Sequence, residues 1–143
     1  MSSYPLKFEV AATAEPGVLK NWKAEVGHFQ PLDCAIPKEF QGSGDGYSPE
    51  DLFALSVMNC LIATYKVLAQ MTGLSFEQIT SKAIITIDRI EKKAPSITNL
   101  HIYFNVYKPS DPAKAQKLFE DTKRNCMISN AVSIDKTFSF ETL

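Results

Sequence analysis

The chain has 143 residues, 45% of them apolar and 22% charged, with a formal net charge of −1. That length suits one domain, residues 1–143, able to bury roughly 70% of its unfolded surface, and the composition is that of an ordinary soluble globular protein. A near-neutral chain without a basic run lacks the electrostatic footprint of nucleic-acid or anionic-membrane binding, so neither partner is expected.

The opening residues Met1-Ser2-Ser3-Tyr4-Pro5-Leu6-Lys7 show no charged start followed by an apolar stretch. No secretory leader is expected, and a cytoplasmic location follows. Leu6, Phe8 and Val10 alternate with Lys7 and Glu9, predicting a first strand. Glu15-Pro16-Gly17 signals a turn, and 22–27 and 32–36 are shorter strand candidates. Gly42, Gly44 and Gly46 predict a flexible connecting loop. A phosphate loop is rejected there, because no Lys-Ser/Thr pair follows and the spacing is not that of a dinucleotide fingerprint.

Ser48-Pro49-Glu50-Asp51 predicts a helix start: a capping hydroxyl, proline at the first helical position and two carboxylates at the positive dipole end. The helix should run to about residue 72, where Gly73 supplies a left-handed stop. Its uncharged run, 52–65, falls short of the about 20 apolar residues of a membrane span. Apolar residues on nearly every face over 52–61 instead predict a central core helix, covered by protein on most sides. Another helical turn or two is expected over 75–79. Strands are expected at 82–90 and 99–107, joined by a hairpin at Ala94-Pro95-Ser96. In the second, Leu100, Ile102, Phe104 and Val106 alternate with His101, Tyr103, Asn105 and Tyr107. Asp111-Pro112 opens a helix to about residue 124 that buries Ala115, Leu118 and Phe119. A short helix after Cys126 and a last strand with Phe138 and Phe140 inward complete an α+β chain, an antiparallel-rich sheet against long helices.

The cysteines stand at 34, 60 and 126, an odd count that fits a reducing compartment. With histidines only at 28 and 101, no close-paired metal spacing is present and no metal is expected. Cys60 alone reads as a small hydrophobe. Cys126 changes that reading. It follows Lys123 and Arg124, whose charges favour thiolate, and precedes the start of a short helix. A thiolate attacks a peroxide or a disulfide, and a second cysteine in reach condenses with the sulfenic acid produced. Cys34 reads as structural, His101 as facing solvent or a subunit contact, and His28 as without a role. Trp22, Phe40, Tyr47 and Phe53 would line an apolar mouth or pack the core.

The segment 37–54, Pro-Lys-Glu-Phe-Gln-Gly-Ser-Gly-Asp-Gly-Tyr-Ser-Pro-Glu-Asp-Leu-Phe-Ala, followed by Cys60 and by Cys126-Met127-Ile128-Ser129-Asn130-Ala131, resembles the OsmC/Ohr family. These are the osmotically induced and organic hydroperoxide resistance proteins, and the resemblance covers roughly residues 32–140. It implies an OsmC-like homodimer, intertwined, with sheets wrapped around long central helices. It also implies a thiol peroxidase that reduces organic hydroperoxides in peroxide and osmotic stress defence. Cys60 would be the peroxidatic thiolate and Cys126 the resolving thiol, through a Cys60 sulfenic acid and a Cys60–Cys126 disulfide. Glu50 matches the family glutamate that orients an activating arginine. No cofactor would be bound; electrons would come from an external dithiol, a lipoyl protein or a small thiol. The alternative is an OsmC-like protein without peroxidase activity, acting as a redox sensor or a small-molecule binder.

One departure stands out. The family's peroxidases carry an arginine in the N-terminal strands or just ahead of the glycine loop, whereas this chain has only Arg89 and Arg124. Lys38 is the best positional match, ahead of Lys20 and Lys23, but offers a point charge rather than a planar fork. Ten helical residues separate Glu50 from Cys60 by about 15 Å and about 80°. If both serve one site, the glutamate is expected from the other subunit.

Overall fold

The computed structural model describes residues 3–143, so Met1 and Ser2, where no secretory leader is expected, lie outside the described residues. The chain divides into two compact units, Met1–Leu52 and Phe53–Leu143.

The first unit is a small antiparallel sheet of β1 (Ala11–Thr13), β2 (Trp22–Glu25) and β3 (Leu32–Cys34), in that order. Lys23 faces Asp33 in the β2–β3 register, and the two form an ion pair. The strand expected at Leu6, Phe8 and Val10 does not form: these side chains are 48%, 94% and 71% exposed. Pairing starts only at Ala11, opposite Glu25. Alternation marks an apolar face, but a strand also needs a ladder partner, and β2 reaches no further. β2 and β3 are shorter than expected, and Gly27 (φ +55) turns the chain soon after β2.

The glycine loop is not a free connector. A 3-10 turn, Lys38–Phe40, opens it. Gly42 N–H donates to Pro37 O (3.0 Å), Gly44 N–H to Ile36 O (3.0 Å) and Tyr47 N–H to Asp33 O (2.8 Å). A Cβ on Gly42 would lie 2.0 Å from Ile36 O, so only glycine permits this backbone approach. The loop delivers Ser48, whose Oγ accepts from Asp51 N–H (3.0 Å) while Asp51 Oδ2 accepts from Ser48 N–H (3.2 Å). This is a capping box with aspartate in the usual glutamate position, and it starts α1 (Pro49–Thr72).

In the second unit α1 runs unbroken to Thr72. Gly73 at φ +74 and a Leu74 N–H bond to Ala69 O (2.9 Å) close it in a Schellman-type stop. Then follow β4 (Gln78–Asp88), β5 (Ser96–Tyr107), α2 (Pro112–Asn125), α3 (Met127–Ala131) and β6 (Asp135–Thr142). The sheet order is β4-β5-β6, antiparallel for the first pair and parallel for the second. A parallel pair needs a long crossover, which α2 and α3 supply. The helical turns expected over 75–79 are absent, because Glu77 N–H donates to Tyr107 O (2.9 Å) and Ile79 pairs with Val106. The sheet ladder satisfies those backbone groups instead.

Leu100, Ile102, Phe104 and Val106 of β5 are fully buried against Val57, Leu61, Tyr65 and Ala69 of α1 and Ala115, Leu118 and Phe119 of α2. The α1 residues recur every four positions, one stripe of the helix. α1 is therefore not covered on most sides: Leu55, Val67 and Met71 are 36%, 58% and 75% exposed. One three-stranded sheet shields one side of a helix. By length and composition α1 could cross a membrane, with a mean hydropathy of 1.7 over 18 residues, but its buried stripe is committed to this core.

Candidate functional site

Two of the three cysteines meet in the second unit. Cys60 is half-buried on α1. Cys126 is fully buried at the joint of the crossover, at once the C-cap of α2 and the N-cap of α3. Asp111 fixes the far end of α2 by accepting from Lys114 N–H (3.1 Å), with Pro112 at the first helical position. Both thiols are free, and they lie near enough for Cys60 to act on the titration of Cys126.

Burial pushes the Cys126 thiol up from 9.0 to about 11, and the contact with Cys60 adds to the shift. Backbone N–H groups of Ser129 and Ile128 pull the other way, more weakly. Cys126 thus stays a neutral thiol at physiological pH. The expected help from Lys123 and Arg124 is not there. Arg124 pairs with Asp121, while Lys123 pairs with Glu120 at 2.9 Å and lies over the rings of Phe119 and Phe138. Carboxylates three residues earlier on the same helix take both cations. The arrangement does not favour Cys126 as the thiolate that opens an attack.

The Cys60 sulfur has a second polar neighbour: Thr64 Oγ1 lies 4.0 Å away, one helical turn on. The sequence reading missed it, although i, i+4 spacing on a helix was sufficient to find it.

Glu50 and Lys38 belong to the first unit. Glu50 sits in the first turn of α1, and its buried Oε2 has no hydrogen-bond partner among the described residues. Lys38 is exposed in the 3-10 turn, its stem close over Gly44. Cys34 is buried, its thiol directed at Leu32 O (3.7 Å). Phe53 packs on the core, while Phe40 and Tyr47 are exposed. His101 is held rather than free: its Nδ1 contacts Thr137 Oγ1 (2.6 Å) and its Nε2 contacts Ser139 Oγ (2.9 Å).

Residues 42–141 match the family described as OsmC-like protein. The chain belongs to the OsmC-like family. The matched span holds Glu50, Cys60 and Cys126, with Lys38 ahead of it. YmaD, an uncharacterized protein of Bacillus subtilis, is 28% identical over 107 residues, 68% of each chain. An OsmC-like protein of unknown function from Vibrio cholerae has the same fold at TM-score 0.81, with 14% identity over 95% of this chain and 99% of that one. An organic hydroperoxide resistance protein from Elizabethkingia anophelis superposes at TM-score 0.76, 20% identical over 99% and 98%. The expected OsmC-like α+β fold is the one observed.

Proposed function

We propose that the protein is a thiol-dependent peroxidase of organic hydroperoxides, serving redox stress defence. The observation that carries this reading is the proximity of the Cys60 and Cys126 thiols, both free. The Cys60 thiolate attacks the terminal oxygen of a hydroperoxide, and the O–O bond breaks. The alkoxide takes a proton and leaves as alcohol. Sulfur has then given up two electrons as sulfenic acid. Cys126 attacks that sulfur, water leaves and a Cys60–Cys126 disulfide forms. An external dithiol, a lipoyl protein or a small thiol, returns two electrons and two protons by exchange. The setting is the cytoplasm.

The site is completed in a homodimer. The exposed Leu55, Val67 and Met71 of α1 offer an apolar surface that a second copy would cover. The unpartnered Glu50 Oε2 then faces a cation, for which Lys38 is the candidate. A stable monomer of about 16 kDa by light scattering at micromolar concentration, 143 residues of chain, would overturn the dimer.

A second reading, a redox sensor or small-molecule binder without turnover, is favoured by one fact. Lys123 and Arg124, next to Cys126 in sequence, are committed to carboxylates. Single-turnover mixing with cumene hydroperoxide separates the two. Rapid loss of the Cys60 thiol with a 60–126 crosslink supports the peroxidase. Loss no faster than that of free cysteine at pH 7 leaves the sensor.

A further inference from the structure

Hydroxyls inside helices ordinarily turn back to the main chain, donating to a carbonyl three or four residues earlier. Ser56 does so to Phe53 O (2.7 Å), Thr72 to Leu68 O (2.8 Å) and Thr122 to Leu118 O (2.8 Å). Thr64 differs. Its contact is the Cys60 sulfur at 4.0 Å. A helical threonine splits between two χ1 rotamers, so directing the hydroxyl at sulfur is a choice between real alternatives. Both residues are half-buried, which limits competition from water.

The other polar neighbour of that sulfur is the Cys126 thiol, also uncharged. Within this unit the sulfur therefore has two uncharged polar groups beside it, while the cations nearest to Cys126 in sequence point to carboxylates. A hydroxyl donates more strongly to a thiolate than to a thiol, because the acceptor is charged.

We infer that Thr64 is a positioning residue of the thiol site, its hydroxyl donating to the Cys60 sulfur so as to favour thiolate and fix the direction in which the sulfur meets an oxidant. This rests on the reading of Cys60 as the reacting thiol. Thr64 keeps its own proton throughout. When the sulfur has taken an oxygen from the hydroperoxide and the alcohol has left, the same hydroxyl is placed to bond the sulfenic oxygen until Cys126 displaces it as water.

The test is the pH dependence of iodoacetamide alkylation at Cys60, read on its own peptide by mass spectrometry. The wild type is compared with Thr64→Val, which keeps the shape, and Thr64→Ser, which keeps the hydroxyl. The valine variant is expected to alkylate about three- to tenfold more slowly at pH 7, the size of one ordinary net hydrogen bond. Its profile should move to higher pH, while serine stays within about twofold of wild type. Thr64→Ala replaces the valine variant if circular dichroism shows that variant unfolded. Superimposable valine and wild-type profiles overturn the inference, as does equal slowing by valine and serine, which would mean packing alone. Alkylation needs no peroxide, so the shift without hydroperoxide reduction sinks the peroxidase and keeps Thr64. An unshifted profile with intact reduction does the reverse.

Discussion

The Tyr65 hydroxyl donates to the Ala115 carbonyl at 3.3 Å, joining α1 to the first turn of α2 from inside the core. Tyr65 also packs on Phe104 and Phe140, with ring centroids 5.2 and 6.5 Å away. Tyr65→Phe keeps those rings in place and removes only the bond, so a loss of about 1 kcal/mol is expected. Urea midpoints at constant m-value measure it. A loss above about 3 kcal/mol would show that the hydroxyl does more than the geometry implies.

Stability should fall at alkaline pH. Burial raises the Tyr65 phenol from 10.0 to about 12 and contributes most to raising the Cys126 thiol from 9.0 to about 11. Both groups hold their protons longer folded than unfolded, so above pH 9 the unfolded chain binds fewer protons and ΔG of unfolding declines. Their contribution is whole below pH 9 and lost by about pH 12. Denaturation at pH 7, 9 and 10.5 tests this, and Cys126→Ala should remove the earlier part of the decline.

Gly42→Ala and Gly27→Ala should differ sharply. At Gly42 the added carbon collides with the Ile36 carbonyl, and the loop leading to Ser48 must move. The expected loss is about 3 kcal/mol or more. At Gly27 nothing lies within 4 Å and only the positive φ resists, for about 1 kcal/mol. Thermal melts of the two variants, ranked in the opposite order, would contradict the described loop.

Cys126→Ser should change the product of oxidation. Without the resolving thiol, Cys60 treated with cumene hydroperoxide is expected to pass to the sulfinic acid, adding two oxygens by mass, where wild type gives the 60–126 crosslink. The crosslinked mass in neither protein, with Cys60 unmodified in both, would dismiss the cycle.

Lys38→Arg should speed hydroperoxide reduction and Lys38→Met slow it, if Lys38 is the cation that faces Glu50. Superimposable Cys60 alkylation profiles in all three proteins would remove Lys38 from the site.

The helices were legible because their ends are chemical: Ser48-Pro49, Gly73 and Asp111-Pro112 all perform at the ends the roles their residue types suggest. Strands were less so, since a ladder depends on residues far away in sequence. Leu6, Phe8 and Val10 alternate well yet find no partner, while Ser75–Ile79, read as helical, is claimed by β5 at its far end. The same blindness applies to charge. Lys123 and Arg124 adjoin Cys126 in sequence, but Glu120 and Asp121 one turn earlier capture them. The grip of Thr137 and Ser139 on His101 follows from the parallel β5–β6 register, which no local pattern announces. Cys60 and Cys126 were singled out because a thiol is rare enough to be noticed singly. Thr64, a common residue, was not.

Cys126 lies in the crossover that lets β6 run parallel to β5, whereas Cys60 lies on the helix beneath that sheet. A bond between the sulfurs would tie the crossover to the helix and close a loop of about 65 residues, restricting the unfolded chain by about 4 kcal/mol on the chain-entropy estimate. Heat resistance would then report redox state, the spent form melting higher than the fresh one. An exhausted molecule would be the more durable, and would wait intact for its reductant.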